Sequence, residues 1–168
     1  SKGNRRLGSS IVSQISSQFG GEVPDVECEE EMPDFVKTIH NLLRKKKILS
    51  YHDRSDGGLI TTVIEMAFAG RLGINLKLDL LPSKSKELLI ADLFNEELGV
   101  VIQVAKKDKE MVMEALDSCS LRKHAYPFAE LNQEKVINLI SGHKTIYQWP
   151  LQKLLEEWHK VSYEIQSL

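Results

Sequence analysis

Cysteine is nearly missing from this chain: Cys28 and Cys119 are the only two. They stand far apart, so neither a disulfide framework nor a CxxC zinc or redox motif can be built, a usage that fits an intracellular, reducing compartment. Long apolar runs are missing as well. No stretch approaches the roughly 20 residues that span a bilayer, and the opening Ser1-Lys2-Gly3-Asn4-Arg5-Arg6 lacks the apolar core of a signal peptide. A soluble, cytoplasmic protein with no membrane partner is expected. Neither sign of charge dominates: 22 Lys and Arg stand against 24 Asp and Glu, a net charge of −2, which gives no global attraction for nucleic acid. Repeats, low-complexity tracts and internal linkers are absent, as are the phosphate-binding pattern GxxxxGK[ST] and the dinucleotide pattern GxGxxG.

What is present is the material of one ordinary domain. The chain has 168 residues, 42% of them hydrophobic and 27% charged, enough to bury a core, so residues 1–168 are expected to form a single unit. It opens without Met, and a helical pattern starts almost at once after Gly8-Ser9-Ser10, so a piece excised from something longer is expected.

Ile11, Ile15 and Phe19 recur every fourth residue, which predicts a short helix over residues 9–19, N-capped by Ser9 or Ser10, stopped at Gly20-Gly21 and docked on the core. Seven acidic residues and no basic one follow between Glu22 and Asp34. This run suits either a cation or basic-partner patch, or a solvated loop delivering Asp34 to a helix N-terminus, and the loop is the better reading for want of ligand spacing. The next helix runs from Pro33 to Lys47 with Val36, Ile39, Leu42 and Leu43 on one side, and Lys45-Lys46-Lys47 where the dipole favours cations.

Ile48 to His52 is β-compatible and leads into Asp53-Arg54-Ser55-Asp56-Gly57-Gly58. Ile60, Val63, Ile64, Ala67 and Phe68 then mark the clearest helix, with Thr61, Thr62 and Glu65 facing away and Gly70 closing it. Residues 73–78 alternate as a half-buried strand, and Leu81-Pro82-Ser83 is a turn. Leu88 to Phe94 is a short helix, residues 99–104 an inner strand, and Asp108 to Leu116 a helix. Strands are expected at 124–128, 136–140 and 145–147, the last two forming a hairpin through Ser141-Gly142-His143-Lys144. A closing helix after Pro150 carries Leu151, Leu154, Leu155, Trp158, Ile165 and Leu168 on one stripe, Trp158 being a core or interface anchor. The order α-α-β-α-β-α-β-α-β-β-β-α predicts an α/β (α+β) sandwich, a mixed sheet covered by helices and not a doubly wound parallel one.

Chemistry concentrates in residues 52–58, where five side chains able to bind protons, metal or phosphate precede two glycines at the start of an apolar helix. A helix N-terminus offers N–H groups and a positive dipole end, and glycines let a phosphate approach the backbone. Mg²⁺ takes one or two carboxylates and fills its shell with phosphate and water, and Asp53 and Asp56 can supply those. Spacing alone leaves a second account open: Ser55 or Asp56 as a helix cap, Gly57 and Gly58 as turn residues, and His52 satisfied at a strand end.

Three strings carry a resemblance. Tyr51-His52-Asp53-Arg54-Ser55-Asp56-Gly57-Gly58-Leu59 followed by Glu65-Met66-Ala67-Phe68-Ala69-Gly70, then Leu93-Phe94-Asn95-Glu96-Glu97-Leu98-Gly99 running on to Val104, and Gly3-Asn4-Arg5-Arg6-Leu7-Gly8-Ser9-Ser10 together resemble the formylglycinamide ribonucleotide amidotransferase (phosphoribosylformylglycinamidine synthase) family. The likeness covers residues 3 to about 105 well and is weaker beyond Lys106. It implies an aminoimidazole ribonucleotide synthetase-type carboxy-terminal domain from the second half of the large, single-chain enzyme, with residues 150–168 leading toward a glutaminase domain. It further implies an ATP-dependent, glutamine-using purine-biosynthesis ligase with Mg²⁺ and ATP or ADP as cofactors, and the other domains of the same polypeptide as partners. In such an enzyme this piece serves an auxiliary nucleotide site: Asp53 matches a magnesium ligand and Ser55 a nucleotide contact, with Asp56 (metal) and Gly57 and Gly58 (nucleotide) as inferred neighbours. No catalytic residue is assigned, because the glutaminase Cys-His-Glu set has no counterpart here, and the isolated chain is expected to be inactive.

Overall fold

The computed structural model describes residues 3–27, 29–83 and 85–167; Ser1, Lys2, Cys28 and Leu168, named above, lie outside them. The elements follow the expected order: α1 (Ile11–Ile15), α2 (Met32–Arg44), β1 (Ser50–Asp53), α3 (Gly58–Gly70), β2 (Gly73–Lys77), α4 (Lys86–Phe94), β3 (Val100–Gln103), α5 (Lys109–Asp117), β4 (Ala129–Asn132), β5 (Val136–Ser141), β6 (Lys144–Pro150) and α6 (Leu151–Gln166). The mixed sheet is present, but it does not gather every strand. Four strands run in the order β4-β2-β5-β6, with β2 and β5 parallel and the other pairs antiparallel, while β1 and β3 form a separate antiparallel pair. Residues 99–104 are therefore not an inner strand; β3 has one neighbour and all four of its residues are only half-buried.

The split creates two cores. In the first, Leu59, Ile60, Val63, Ala67 and Phe68 of α3 pack on Ile74, Leu76, Ile137 and Leu139 of the sheet and on Leu151 of α6. Leu76 and Ile137 have no exposure at all, and complete burial of such a side chain is worth about 1.5–3 kcal/mol. In the second, Ile39 and Leu42 of α2 meet Ile48 and the Val112 and Leu116 of α5. Val36 and Leu43, expected on that same helix face, are exposed instead.

The opposite face of the large sheet is polar. Asn132 of β4 and Asn138 of β5 each donate an amide hydrogen to Asn75 Oδ1 of β2, both at 2.8 Å, and Gln148 of β6 donates to Asn138 Oδ1 at 3.0 Å. The amides thus form a ladder across all four strands.

Several local expectations shift. α1 is one turn long, capped by Ser10 and ending at Ile15, well before Gly20-Gly21. The expected docking of Ile15 and Phe19 does not occur: Ile15 is 80% exposed and Phe19, beyond the helix end, 83%. Thr62 is buried, not outward, because its hydroxyl donates to Gly58 O at 2.9 Å and so needs no water. α3 ends at Gly70 as expected, but the left-handed residue after it is Arg71. The strand expected at 124–128 lies at Ala129–Asn132, because 73–76 and 129–132 register against one another. The hairpin forms as expected, its turn held by the Asp79 carboxylate, which accepts from Ser141 Oγ and Gly142 N. Trp158 is 55% exposed and packs one face near Phe68, ring centroids 5.8 Å apart.

Candidate functional site

The chemistry-bearing turn joins β1 to α3. β1 presents His52 half-buried and Asp53 exposed; the ladder with β3 continues one step past the strand, where Arg54 N donates to Gly99 O at 2.8 Å. The Arg54 side chain turns away from the turn, its Nε donating to Glu97 O at 2.7 Å. A Cβ on Gly99 would come within 2.9 Å of that guanidinium, so the glycine leaves room for it. Burial lowers the Arg54 pKa, opposed by the Glu97 and Asp92 carboxylates. Ser55 and Asp56 then stand exposed to solvent.

Neither of them caps α3. Gly57 is the N-cap, in the left-handed region at φ +79°, and no side chain caps the helix there. Gly58 follows at φ +72°, and a Cβ on it would fall 2.6–2.8 Å from the backbone of Phe94 and Asn95. That closeness brings the start of α3 onto the end of α4, which no residue but glycine allows. Both glycine N–H groups already have partners within the chain: Gly58 N donates to Ser55 O at 2.9 Å and Gly57 N to Glu96 Oε1 at 2.8 Å. The glycines thus give the turn its shape, and Asp53, Ser55 and Asp56 stand exposed on it.

The residues that hold this turn come from the two other strings. Glu97 has no exposure and receives Arg6 bidentately, Nε to Oε1 at 2.7 Å and Nη2 to Oε2 at 2.8 Å, with Arg6 N at 3.1 Å. The same guanidinium reaches Glu27 at 2.7 Å and Asp25 O at 3.0 Å, so part of the acidic run is a solvated loop that also anchors Arg6. Its last member behaves as expected, since Asp34 sits in the first turn of α2. Burial would raise the Glu97 carboxyl, but the Arg6 hydrogen bonds reverse this and hold it below the ordinary value. Beside it, Arg5 Nε pairs with the buried Asp92 at 2.6 Å. Gly8 packs against the backbone at Glu22. Glu96 Oε1, besides Gly57 N, accepts Ile11 N at 2.9 Å. Segments 3–11, 54–58 and 92–99 are therefore one construction.

Arg5, Arg6, Asp92, Glu96 and Glu97 were not singled out by periodicity or ligand spacing. For Arg5, Arg6, Glu96 and Glu97 the only signal was membership in the strings that carry the resemblance; Asp92, just ahead of Leu93, had none. His52 stands outside the construction, its Nε2 3.1 Å from Glu65 Oε2 and its Nδ1 2.7 Å from Asp53 O, so both ring nitrogens face oxygen acceptors. Lys47 pairs with Asp108 at 2.8 Å. Among the described residues no group of three or more His, Cys, Asp or Glu side chains could hold a metal ion. Two exposed carboxylates in one turn therefore suit an ion that brings phosphate and water ligands with it, not one caged by protein. No helix among the described residues is long and apolar enough to cross a membrane.

Comparisons with known proteins bear on the family and the fold. The family of AIR synthase related proteins, C-terminal domain, matches residues 3–141. A phosphoribosylformylglycinamidine synthase of Schizosaccharomyces pombe is 40% identical over 99% of this chain, which spans 12% of that protein's length. Among solved structures, Thermotoga maritima PurL complexed with ATP superposes with a TM-score of 0.59 at 19% identity, over 72% of this chain and 21% of its own. E. coli HypE, a hydrogenase maturation protein, gives 0.55 at 27% identity, over 67% of this chain and 39% of its own. With residues 3–141 matched and all three strings gathered in one place, the chain belongs to the AIR synthase related protein family as a C-terminal domain of that type.

Proposed function

We infer that this domain is part of a phosphoribosylformylglycinamidine synthase. Such a ligase uses ATP and glutamine to convert formylglycinamide ribonucleotide to formylglycinamidine ribonucleotide, releasing glutamate, ADP and phosphate. The domain supplies one wall of an auxiliary nucleotide and magnesium site, in the second half of a large single-chain cytoplasmic enzyme, and is inactive alone. The observation that carries this reading is the 40% identity along the whole chain together with the convergence of its three strings on one turn. The likeness to the hydrogenase maturation protein is a likeness of fold, and the curated relative favours the amidotransferase over that other branch.

Within this reading Asp53 and Asp56 hold Mg²⁺, and the Ser55 hydroxyl meets the nucleotide. Gly57 and Gly58 belong to the nucleotide site through the turn they make, since both their N–H groups are engaged. Bound there, the metal ion neutralises phosphate charge. Arg54, aimed at Glu97 O, leaves the exposed face of the turn acidic, which suits a cation-loaded nucleotide better than a bare one. The other walls come from the remaining domains of the same polypeptide.

The full-length protein provides the test. Nucleotide carried through purification is released by denaturation and quantified beside bound magnesium, for the wild type and for Asp53→Ala. Loss of both in the variant is expected; full retention would count against the assignment. A second reading, a docking scaffold without ligand, is favoured by the exposed Trp158, Tyr163 and Ile165 of α6, and a full-length protein free of nucleotide at this turn would support it.

A further inference from the structure

We propose that Glu96 is a positioning residue that makes the shape of the site turn depend on the N-terminal segment. Glu96 is half-buried, and its Oε1 accepts two main-chain hydrogens at once, from Ile11 at 2.9 Å and from Gly57 at 2.8 Å. Main-chain donors cannot rotate away as side chains do, so displacing either segment displaces the carboxylate that holds the other. The flanks of Glu96 cannot absorb the movement. Asn95 is 2% exposed, Glu97 is completely buried under Arg6, and Gly58 lies directly against the Phe94–Asn95 backbone.

The N-terminal segment, for its part, has no apolar anchor strong enough to set its own position. α1 is five residues long, and its Ile15, like Phe19 beyond its end, faces solvent. Its place comes from polar ties: Arg5 to Asp92, Arg6 to Glu97, and Ile11 to Glu96. Arg6 reaches the turn only through Glu97, whose carbonyl accepts from Arg54, whereas in the Glu96 tie one carboxylate oxygen joins the main chain of the segment directly to that of the turn. Releasing Ile11 N–H therefore frees Glu96, unpins Gly57, and loosens the spacing of Asp53, Ser55 and Asp56. The last step, weaker Mg-ADP binding, rests on the nucleotide reading above; the mechanical link does not.

Ile11→Pro tests the link without touching the turn. Proline is tolerated at the first position of a helix, and the preceding Ser10, at φ −69° and ψ 159°, already has the extended conformation that precedes proline. Ile11→Ala is the control, losing the side chain while keeping the N–H. In the full-length protein, hydrogen exchange over residues 55–60 is read by mass spectrometry, and Mg-ADP binding by equilibrium dialysis. Ile11→Pro is expected to speed exchange over 55–60 and weaken Mg-ADP roughly tenfold, the loss associated with one charge-assisted hydrogen bond, while Ile11→Ala matches the wild type. Wild-type exchange over 55–60 in Ile11→Pro would overturn the proposal.

A second pair guards against misfolding of the proline variant. Glu96→Gln keeps an acceptor oxygen and is expected to keep protection at both 8–14 and 55–60, whereas Glu96→Ala loses it at both. Equal deprotection in the two variants, or deprotection of one segment only, would also overturn it. If Asp53→Ala leaves bound nucleotide unchanged, the nucleotide reading falls, while exchange still decides the link between the segments.

Discussion

The charged knot at residues 92–97 and the amide ladder on the four-stranded sheet are both polar networks in a small domain, yet they join different things. The knot ties segments that share no strand pairing: Arg6 meets Glu97 across 91 residues and Arg5 meets Asp92 across 87. The ladder links Asn75, Asn132, Asn138 and Gln148 on strands already paired through their backbones. Where main-chain pairing sets the register, neutral amides suffice to occupy the polar face. Where it does not, the fold relies on arginine–carboxylate contacts, chief among them the bidentate Arg6–Glu97 pair, whose planar geometry specifies one arrangement.

That contrast can be broken most severely at Arg6. Arg6→Ala leaves Glu97 charged with no exposure to water, so residues 3–20 are expected to detach. Limited proteolysis would then cleave there at protease levels the wild type resists; an unchanged digestion pattern would mean that the knot is dispensable. Acid attacks the same point. A carboxyl held low when folded, and at its ordinary 4.5 when unfolded, adds stability above that value and gives it up as pH falls through the lower folded value. Urea midpoints measured from about pH 7 down to about pH 3 should therefore fall less steeply in Arg6→Ala than in the wild type. The ladder should be more forgiving. Asn75→Ala removes the acceptor shared by Asn132 and Asn138 and is expected to cost about 1–3 kcal/mol, with no dependence on pH in that range. Lys77→Ala, which deletes the exposed pair with Glu130 at the edge of the same face, should stay within about 0.5 kcal/mol.

The sequence made some of this legible and hid the rest for definable reasons. Periodicity located α3 from Ile60, Val63, Ala67 and Phe68, and the turn chemistry of Ser141-Gly142-His143-Lys144 marked the hairpin, because both signals are local. The strand–turn–helix frame of Asp53 to Gly58 was visible for the same reason. Local pattern could not show that Ile15 and Phe19 would remain exposed, since α1 is placed by Arg5 and Arg6 and not by its apolar side. It could not show that Thr62 would be buried, because the hydroxyl finds its acceptor one turn back in its own helix. The division into two sheets also escaped, since β1 and β3 have strand-like composition whichever neighbours they take. At the site, the ligand-type side chains stood out in the sequence. Their supports, Glu96 and Glu97, did not, because nothing in their spacing points to partners so far away.

The Arg6–Glu97 contact also orders events during synthesis. At the usual 5–20 residues per second, the 91 residues between them take about 5–18 s to appear. Through that interval the opening segment has no carboxylate to meet, while α2, β1 and α3 already exist as chain. Within this domain the segment made earliest is thus among the last to find its place, fastening from outside onto a helix pair built before it.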